Sequence, residues 1–457
     1  MIKDNSPSAS GLSRRRLLRQ AVATGTGIGA LSVGGQHFGF IPAAFADDKP
    51  PIGTWPAGSQ GDTVNIGAAV PRTGTYAVQG EDELKGWQLA VEHINEGNAL
   101  IKKIAPKITK GLLGKKVNLL VADSVAKPND AVQEEQTFIN QNKIILMTGS
   151  TSSAVAVALN KFAQREKVLY VTGISGSNDT TGKDCVRYGF RQNFYGETAA
   201  NALGPVLLKV FGKNRKSAFM TPDYTYGHTV TKSMNDYLTK NGGWTMVTNQ
   251  VSPLGTQDFS QYLTNIANSG AEVLLNVNWG RDAVLSVQQA KQFGILPKMK
   301  LVIPYQIPFL AKEVGAELTE GVYAATDFWW TLEDKYPLAK MFVDAFYKKY
   351  NYRPEWGANN AYMSFAIWAR MVSEAGSFYP PDIIKTYEKG ETFDSTVGQV
   401  HFRPEDHQLV RPVIIVRGKA PKAMKNKEDY WEVTEVVPGA GVMQKPDAFG
   451  CNLGAYT

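Results

Sequence analysis

The residues best placed to do chemistry are hydroxyls. Gly149-Ser150-Thr151-Ser152-Ser153 sets four of them between an apolar run and a helical pattern. A helix N-terminus carries unpaired backbone N–H groups and the positive end of the helix dipole, so such a stretch suits a carboxylate or a phosphate. The plain alternative is that Ser152 or Ser153 only caps the helix, for about 1 kcal/mol. Gly173-Ile174-Ser175-Gly176-Ser177 could add backbone and hydroxyl contacts, or be a simple turn. Pro222-Asp223-Tyr224-Thr225-Tyr226-Gly227 brings tyrosines that can stack on a ligand and donate a hydrogen bond, or pack between domains.

Nothing comparable points to catalysis. His93, His228, His401 and His407 are scattered, with no pair at the helical spacing of metal ligands, and His37 lies near the N-terminus. The serine loops do not match Gly-x-Ser-x-Gly. No Gly-x-x-x-x-Gly-Lys-Ser/Thr cradle occurs, so neither a cofactor nor a metal is expected. Lys209, Lys213, Arg215 and Lys216 form only a local cluster, which reads as solvated surface and not as a nucleic-acid footprint.

The elements that must position these loops alternate. Short apolar strands are expected at 64–70, 117–122, 143–148 and 168–171, with helices near 82–96, 129–140 and 154–165 between them. Asn129 or Asp130 offers an N-cap. The rhythm restarts after 195, with helices near 196–211, 228–240, 258–268 and 281–292 and strands at 217–221, 245–251, 272–278 and 300–305. Wholly apolar strands between helices indicate parallel sheets covered on both faces. The fold class is therefore α/β, in two similar units. Longer helices follow near 336–350 and 359–376, then strands at 400–402 and 410–416 and a loose tail beyond Lys419. In open parallel sheets, ligands bind beyond the carboxyl ends of the strands, which is where the hydroxyl and tyrosine loops fall.

Composition bounds the rest. The chain has 457 residues, 43% hydrophobic and 20% charged, with a formal net charge of +7. Those values suit a soluble protein of two or three domains. No apolar stretch reaches the roughly 20 residues that span a bilayer. The basic balance is concentrated at the N-terminus: Lys3, Arg14, Arg15, Arg16 and Arg19 face Asp4 alone within residues 1–46. Ser13-Arg14-Arg15-Arg16-Leu17-Leu18-Arg19, a Gly/Ala-rich run and Ala44-Phe45-Ala46 make a charged region, a weakly apolar region and a small-x-small cleavage site. That order resembles a twin-arginine export signal cleaved after Ala46, with a Sec signal or an uncleaved anchor or basic tail as the alternatives. The mature chain then belongs in the periplasm. In that oxidising compartment a disulfide between Cys185 and Cys451, tying the tail back, is the simplest expectation, and two free thiols the alternative.

Over residues 62–420 the chain resembles the periplasmic solute-binding proteins of the leucine/isoleucine/valine-binding type, the receptor components of ABC importers. The resemblance rests on Val64-Asn65-Ile66-Gly67 leading to Thr73-Gly74 and Gln79-Gly80, and on the helix from Gly86 to Asn95. It rests also on Ala122-Asp123-Ser124, on Gly149 to Ser153, on Asp223 to Gly227 and on Asp258-Phe259-Ser260. It implies two Rossmann-like lobes joined by a three-segment hinge near 192–195, 325–329 and 408–411. Lobe one would be 62–193 plus 328–408, lobe two 194–327 plus 409–420, and 421–457 a C-terminal extension. It implies a monomer that closes on a small-molecule ligand and docks on an inner-membrane permease, without catalysis. Ser153 matches the serine that meets the ligand carboxylate, and Ile174 and Gly176 match the backbone contributors. Gln79 and Tyr76 fall near the ligand in lobe one; Tyr224, Trp279 and Tyr305 do so in lobe two.

One departure matters. Tyr305 follows Pro304 where the amino-acid binders carry the acid that pairs with the ligand ammonium. Asp223 and Asp282 are the candidate substitutes. An unpaired ammonium in a closed cleft would cost several kcal/mol. The expected ligand is a branched-chain-type amino acid, with an aromatic or other small carboxylate or amide as the alternative. An exported enzyme is the second class of function, which the lack of cofactor motifs disfavours, and a ligand-sensing subunit of a signalling system is the third.

Overall fold

The computed structural model describes residues 52–456, so the expected export signal and its expected cleavage site lie outside the described residues. Five parallel strands form a first sheet: β1 (Thr63–Val70), β2 (Lys116–Asp123), β3 (Leu146–Gly149), β4 (Leu169–Thr172) and β5 (Gly189–Phe190), in the order β2-β1-β3-β4-β5. The second unit supplies β6 (Lys216–Pro222), β7 (Thr245–Ser252), β8 (Val273–Asn276), β9 (Lys300–Tyr305) and β10 (Tyr323–Thr326). They pair in parallel as β7-β6-β8-β9-β10, the same doubly wound order. Short strands such as Leu146–Gly149 and Val273–Asn276 are buried along their whole length, as helices on both faces require.

Three short strands, β11 (Phe393–Ser395), β12 (Gly398–Phe402) and β13 (Leu409–Val410), form a small antiparallel sheet. The chain then enters the second sheet again as β14 (Val413–Gly418), antiparallel to β10, and β15 (Trp431–Val437), antiparallel to β14. The predicted strand 410–416 is thus broken at Arg411-Pro412. Pro412 has no N–H to give a ladder, and Arg411 is turned to Asp327 at 3.2 Å.

Each sheet carries its own helices, giving two lobes. The Ala77–Glu96 helix packs along the Trp356–Ala375 helix, which returns the later chain to the first lobe. A Cβ on Gly86 would lie 2.2 Å from the Ala358 carbonyl oxygen, so only glycine permits this approach. Trp87 is fully buried there and its Nε1 donates to Ser364 Oγ at 3.2 Å.

The three predicted crossings lie side by side. Arg191 and Gln408 form a parallel bridge, and Leu409 N donates to the Arg191 carbonyl at 2.9 Å. Asp327 Oδ1 accepts from Phe194 N at 3.2 Å.

Several boundaries differ from the sequence expectations. The first long helix begins at Ala77, not near 82, because Ala77–Gly80 add a turn before the apolar spacing starts. The helix expected from Asn129 starts at Pro128; neither Asn129 nor Asp130 caps it, and the fixed φ of proline opens it instead. The Thr225–Gly242 and Trp356–Ala375 helices each start three residues early. The tail beyond Lys419 is not loose. It holds β15 and then a disulfide, Cys451 to Cys185, on the first lobe. Among the described residues no helix is long and apolar enough to cross a membrane.

Candidate functional site

In a doubly wound sheet the strand order reverses between the first strand and the third, and the crevice opens at their carboxyl ends. Here those reversals lie at β1/β3 and β6/β8, and the two crevices face each other. The loops after β3 and β4 bring Thr151, Ser153, Ile174 and Gly176 to one cavity. From the other side come Tyr224 and Tyr226 after β6, Trp279 after β8 and Tyr305 at the end of β9. Trp356, at the start of its helix, completes the lining. The cavity is drawn almost shut, with a volume of about 10 Å³. A larger hollow of about 600 Å³ lies at the opposite end of the second sheet, at the starts of β9 and β10, which is the wrong end for a ligand crevice.

The first-lobe wall is polar. Ser153 is the first residue of the Ser153–Glu166 helix, and its Oγ accepts from Ser177 N at 3.2 Å. Ser152 occupies the N-cap position, but its buried Oγ has no hydrogen-bond partner and caps nothing. The capping alternative therefore fails for both serines, since Ser153 bonds the neighbouring loop instead. Thr151 Oγ1 donates to Glu83 Oε2, while Glu83 Oε1 is buried without a partner. Burial pushes the Glu83 carboxyl up to about 8 against the lowering effect of Thr151. Gly176 keeps its loop low: a Cβ there would meet the Tyr226 ring at 3.1 Å.

The facing wall and Trp356 are aromatic, and the polar atoms of Tyr305, Trp356 and Tyr224 bond to groups outside the lining. Tyr305 OH donates to Asp327 Oδ2 at 2.5 Å and accepts from Asn193 Nδ2 at 3.2 Å. Asp327 is paired in turn with Arg411. Trp356 Nε1 donates to the Gln306 carbonyl at 2.9 Å. Tyr224 OH accepts from Tyr76 OH at 2.9 Å. The rings pack on one another, Tyr305 with Trp356 at 5.1 Å and Trp279 with Trp356 at 6.1 Å. None of the lining residues is acidic or basic.

Of the eight residues singled out in the sequence, six line this cavity: Ser153, Ile174, Gly176, Tyr224, Trp279 and Tyr305. Tyr76 and Gln79 do not. Tyr76 stands behind the wall, edge-on to Trp279 at 5.5 Å. Gln79 Nε2 donates across the lobes to the Pro308 carbonyl at 3.1 Å. Neither substitute acid reaches the cavity. Asp223 is exposed and bonded to His228, and Asp282 accepts from Gly255 N at 2.8 Å. Three lining residues were missed. Thr151 and Tyr226 stand inside loops already noted, but Trp356 lies over 200 residues from the loop at 151 and carries no local signal. Among the described residues no group of three His, Cys, Asp or Glu could hold a metal ion.

The interlobe contacts show the lobes closed on each other. Beside the Gln79 bond, Phe309 N donates to Glu355 Oε1 at 3.3 Å and Arg281 N to the Thr75 carbonyl at 2.9 Å. Outside this seam a groove of about 1140 Å³ opens between Arg72, Lys85, Phe309 and Tyr352.

Comparison with known proteins agrees with this geometry. Residues 63–425 match the family described as periplasmic binding protein. Leu/Ile/Val-binding protein homolog 7 of Brucella abortus (strain 2308) is 26% identical over 322 residues, covering 68% of this chain and 76% of that protein. The amino acid ABC transporter substrate-binding protein from Pseudomonas fluorescens Pf-5 superposes with a TM-score of 0.76 at 25% identity, covering 86% of this chain and 100% of that one. A solute-binding protein of an ABC transporter from R. palustris, in complex with benzoate, has a TM-score of 0.71 at 18% identity, covering 85% and 99%. With most of its length matched by the family profile, the chain belongs to the periplasmic binding proteins.

Proposed function

We propose that the chain is the receptor of an ABC importer, capturing a small carboxylate by closing its two lobes and delivering it to an inner-membrane permease. The observation that carries this reading is the asymmetry of the cavity. One wall is a helix N-terminus with Thr151 and Ser153; the other is a set of aromatic faces. The first wall suits an anion. The second suits an apolar body, and with Trp356 it excludes water once the lobes meet. Closure is an equilibrium that the ligand shifts by binding the closed form better. The contacts of Gln79, Glu355 and Trp356 on the 306–309 segment each supply about 0.5–1.5 kcal/mol to that form. The protein acts as an exported monomer, brought to the periplasm by its twin-arginine signal.

The Leu/Ile/Val-binding relatives support a branched-chain amino acid as the ligand. A specific observation favours a second reading, an aromatic or other carboxylate without an amine. No acid lines the cavity, and the hydroxyl of Tyr305 is spent on the hinge. The same fold accommodates benzoate in the R. palustris protein. Thermal shift of the purified mature protein against leucine, isoleucine, valine, benzoate and phenylacetate decides between them. A true ligand at 100 times its Kd stabilises by about 2.7 kcal/mol. A shift with the amino acids alone establishes the first reading, and a shift with the aromatic acids alone the second. No shift with any carboxylate overturns the proposal. A binder whose deletion leaves uptake unchanged is a sensor, not an importer receptor.

A further inference from the structure

We infer that the C-terminal segment 438–456 is a strap across the hinge that limits how far the lobes open. Three chain crossings join the lobes, and this segment makes a fourth. At one end it is fixed to the second lobe. It leaves β15, which is laddered to β14, and the Val442 carbonyl and Gln444 side chain are held by Asn201 Nδ2 at 2.8 Å and Glu197 Oε1 at 2.9 Å. Both partners lie on the Gly196–Phe211 helix, which packs on β9, β10 and β14. At the other end it is fixed to the first lobe, covalently through Cys451–Cys185 and by Tyr188 OH donating to the Tyr456 carbonyl at 2.6 Å.

Between these anchors the strap lies on the hinge itself. Phe449 packs edge-on against Tyr195 of the first crossing at 5.8 Å. Arg403, just before the third crossing, donates to the Gln444 carbonyl at 2.6 Å. Cys451 lies only seven positions after Gln444, a reach of at most about 25 Å when fully extended. Hinge closure works by a few residues absorbing φ/ψ change while the lobes move as rigid bodies. A short segment held on both bodies restricts that motion, because rotation that parts its anchors must stretch it or break its bonds.

The test needs no ligand, so it stands apart from the identity of what the cavity holds. Spin labels on V78C and L254C, exposed positions on the two sides of the cleft mouth, report the lobe separation in the unliganded full chain. The native cysteines are oxidised in the parent and replaced in C185S/C451S, so only the introduced thiols are labelled. The distance distribution should broaden and shift to longer distances in C185S/C451S. It should do the same, to a smaller extent, in N201A/E197A, which keeps the disulfide and lengthens the free span by moving the second-lobe anchor back to the end of β15. Broadening with both variants supports the strap. Parent-like distributions in both overturn it, and broadening in C185S/C451S alone also overturns it, since the Asn201 and Glu197 bonds that make the span short would then restrain nothing. Should C185S/C451S fail to fold, N201A/E197A alone decides by the same criterion.

Discussion

Single side chains decide what the cavity accepts. Ser153 is held on the first-lobe wall by Ser177 N and not spent as a helix cap, so its hydroxyl proton has no partner within the loop. Ser153→Ala should weaken any carboxylate ligand by about 1–3 kcal/mol, measured by titration calorimetry, with the melting temperature nearly unchanged. Parent affinity would remove Ser153 from the binding set. Close behind lie three buried carboxyls with no cation in hydrogen-bond contact: Asp82, Glu83 and Glu355. Burial raises them to about 7, 8 and 8 from ordinary values near 4. The folded protein therefore holds protons that the unfolded chain releases. Stability is full below the unfolded values and is lost as pH rises through the folded ones. The melting temperature should fall from pH 5 to pH 8, and Glu83→Gln, neutral throughout, should flatten part of that slope. An equal slope in parent and variant would show that Glu83 does not carry it.

At the scale of elements, what was legible followed from burial. Strands covered on both faces read as apolar runs, so Leu146–Gly149 and Val273–Asn276 stood out, and with them the loops at their carboxyl ends. Edges were harder. Trp431–Val437 alternates, with Trp431 buried and Glu432 exposed, yet it pairs with a strand from the same late region and belongs to neither βα rhythm. Trp356 was invisible for another reason: only the packing of its helix along Ala77–Glu96 brings it to the cavity. Gln79 was legible as near the ligand, but the residue it meets, Pro308, comes from the facing lobe. That changes its role from ligand contact to closure contact. Gln79→Ala should raise the ligand off-rate about fivefold, the equivalent of about 1 kcal/mol, and leave the on-rate alone. Stopped-flow tryptophan fluorescence reads both. A changed on-rate with an unchanged off-rate would return Gln79 to the ligand-contact set.

For the whole molecule, most of the net positive charge lies in residues 1–46, and the residues lining the cavity are uncharged. A buried ion pair sits at the hinge. Asp327 of the second crossing faces Arg411 of the third at 3.2 Å, accepts from Phe194 N of the first, and receives the Tyr305 hydroxyl from the cavity wall. Arg411 also donates to Asn360 Oδ1 at 2.7 Å. The pair thus ties all three crossings to a ring that faces the ligand. A buried pair contributes little net stability against an apolar replacement, but removing one partner strands the other charge at about 3–5 kcal/mol. Asp327→Ala should therefore lower the urea unfolding free energy by about that amount, while Asp327→Ala/Arg411→Met should recover most of it. The two variants differ in a second respect. The double variant restores stability without restoring the link from Tyr305 to the hinge, so its ligand affinity should stay below the parent's. A double variant with both stability and affinity of the parent would show that the hinge needs only filled volume at this point, and that the Tyr305 hydroxyl carries nothing to it.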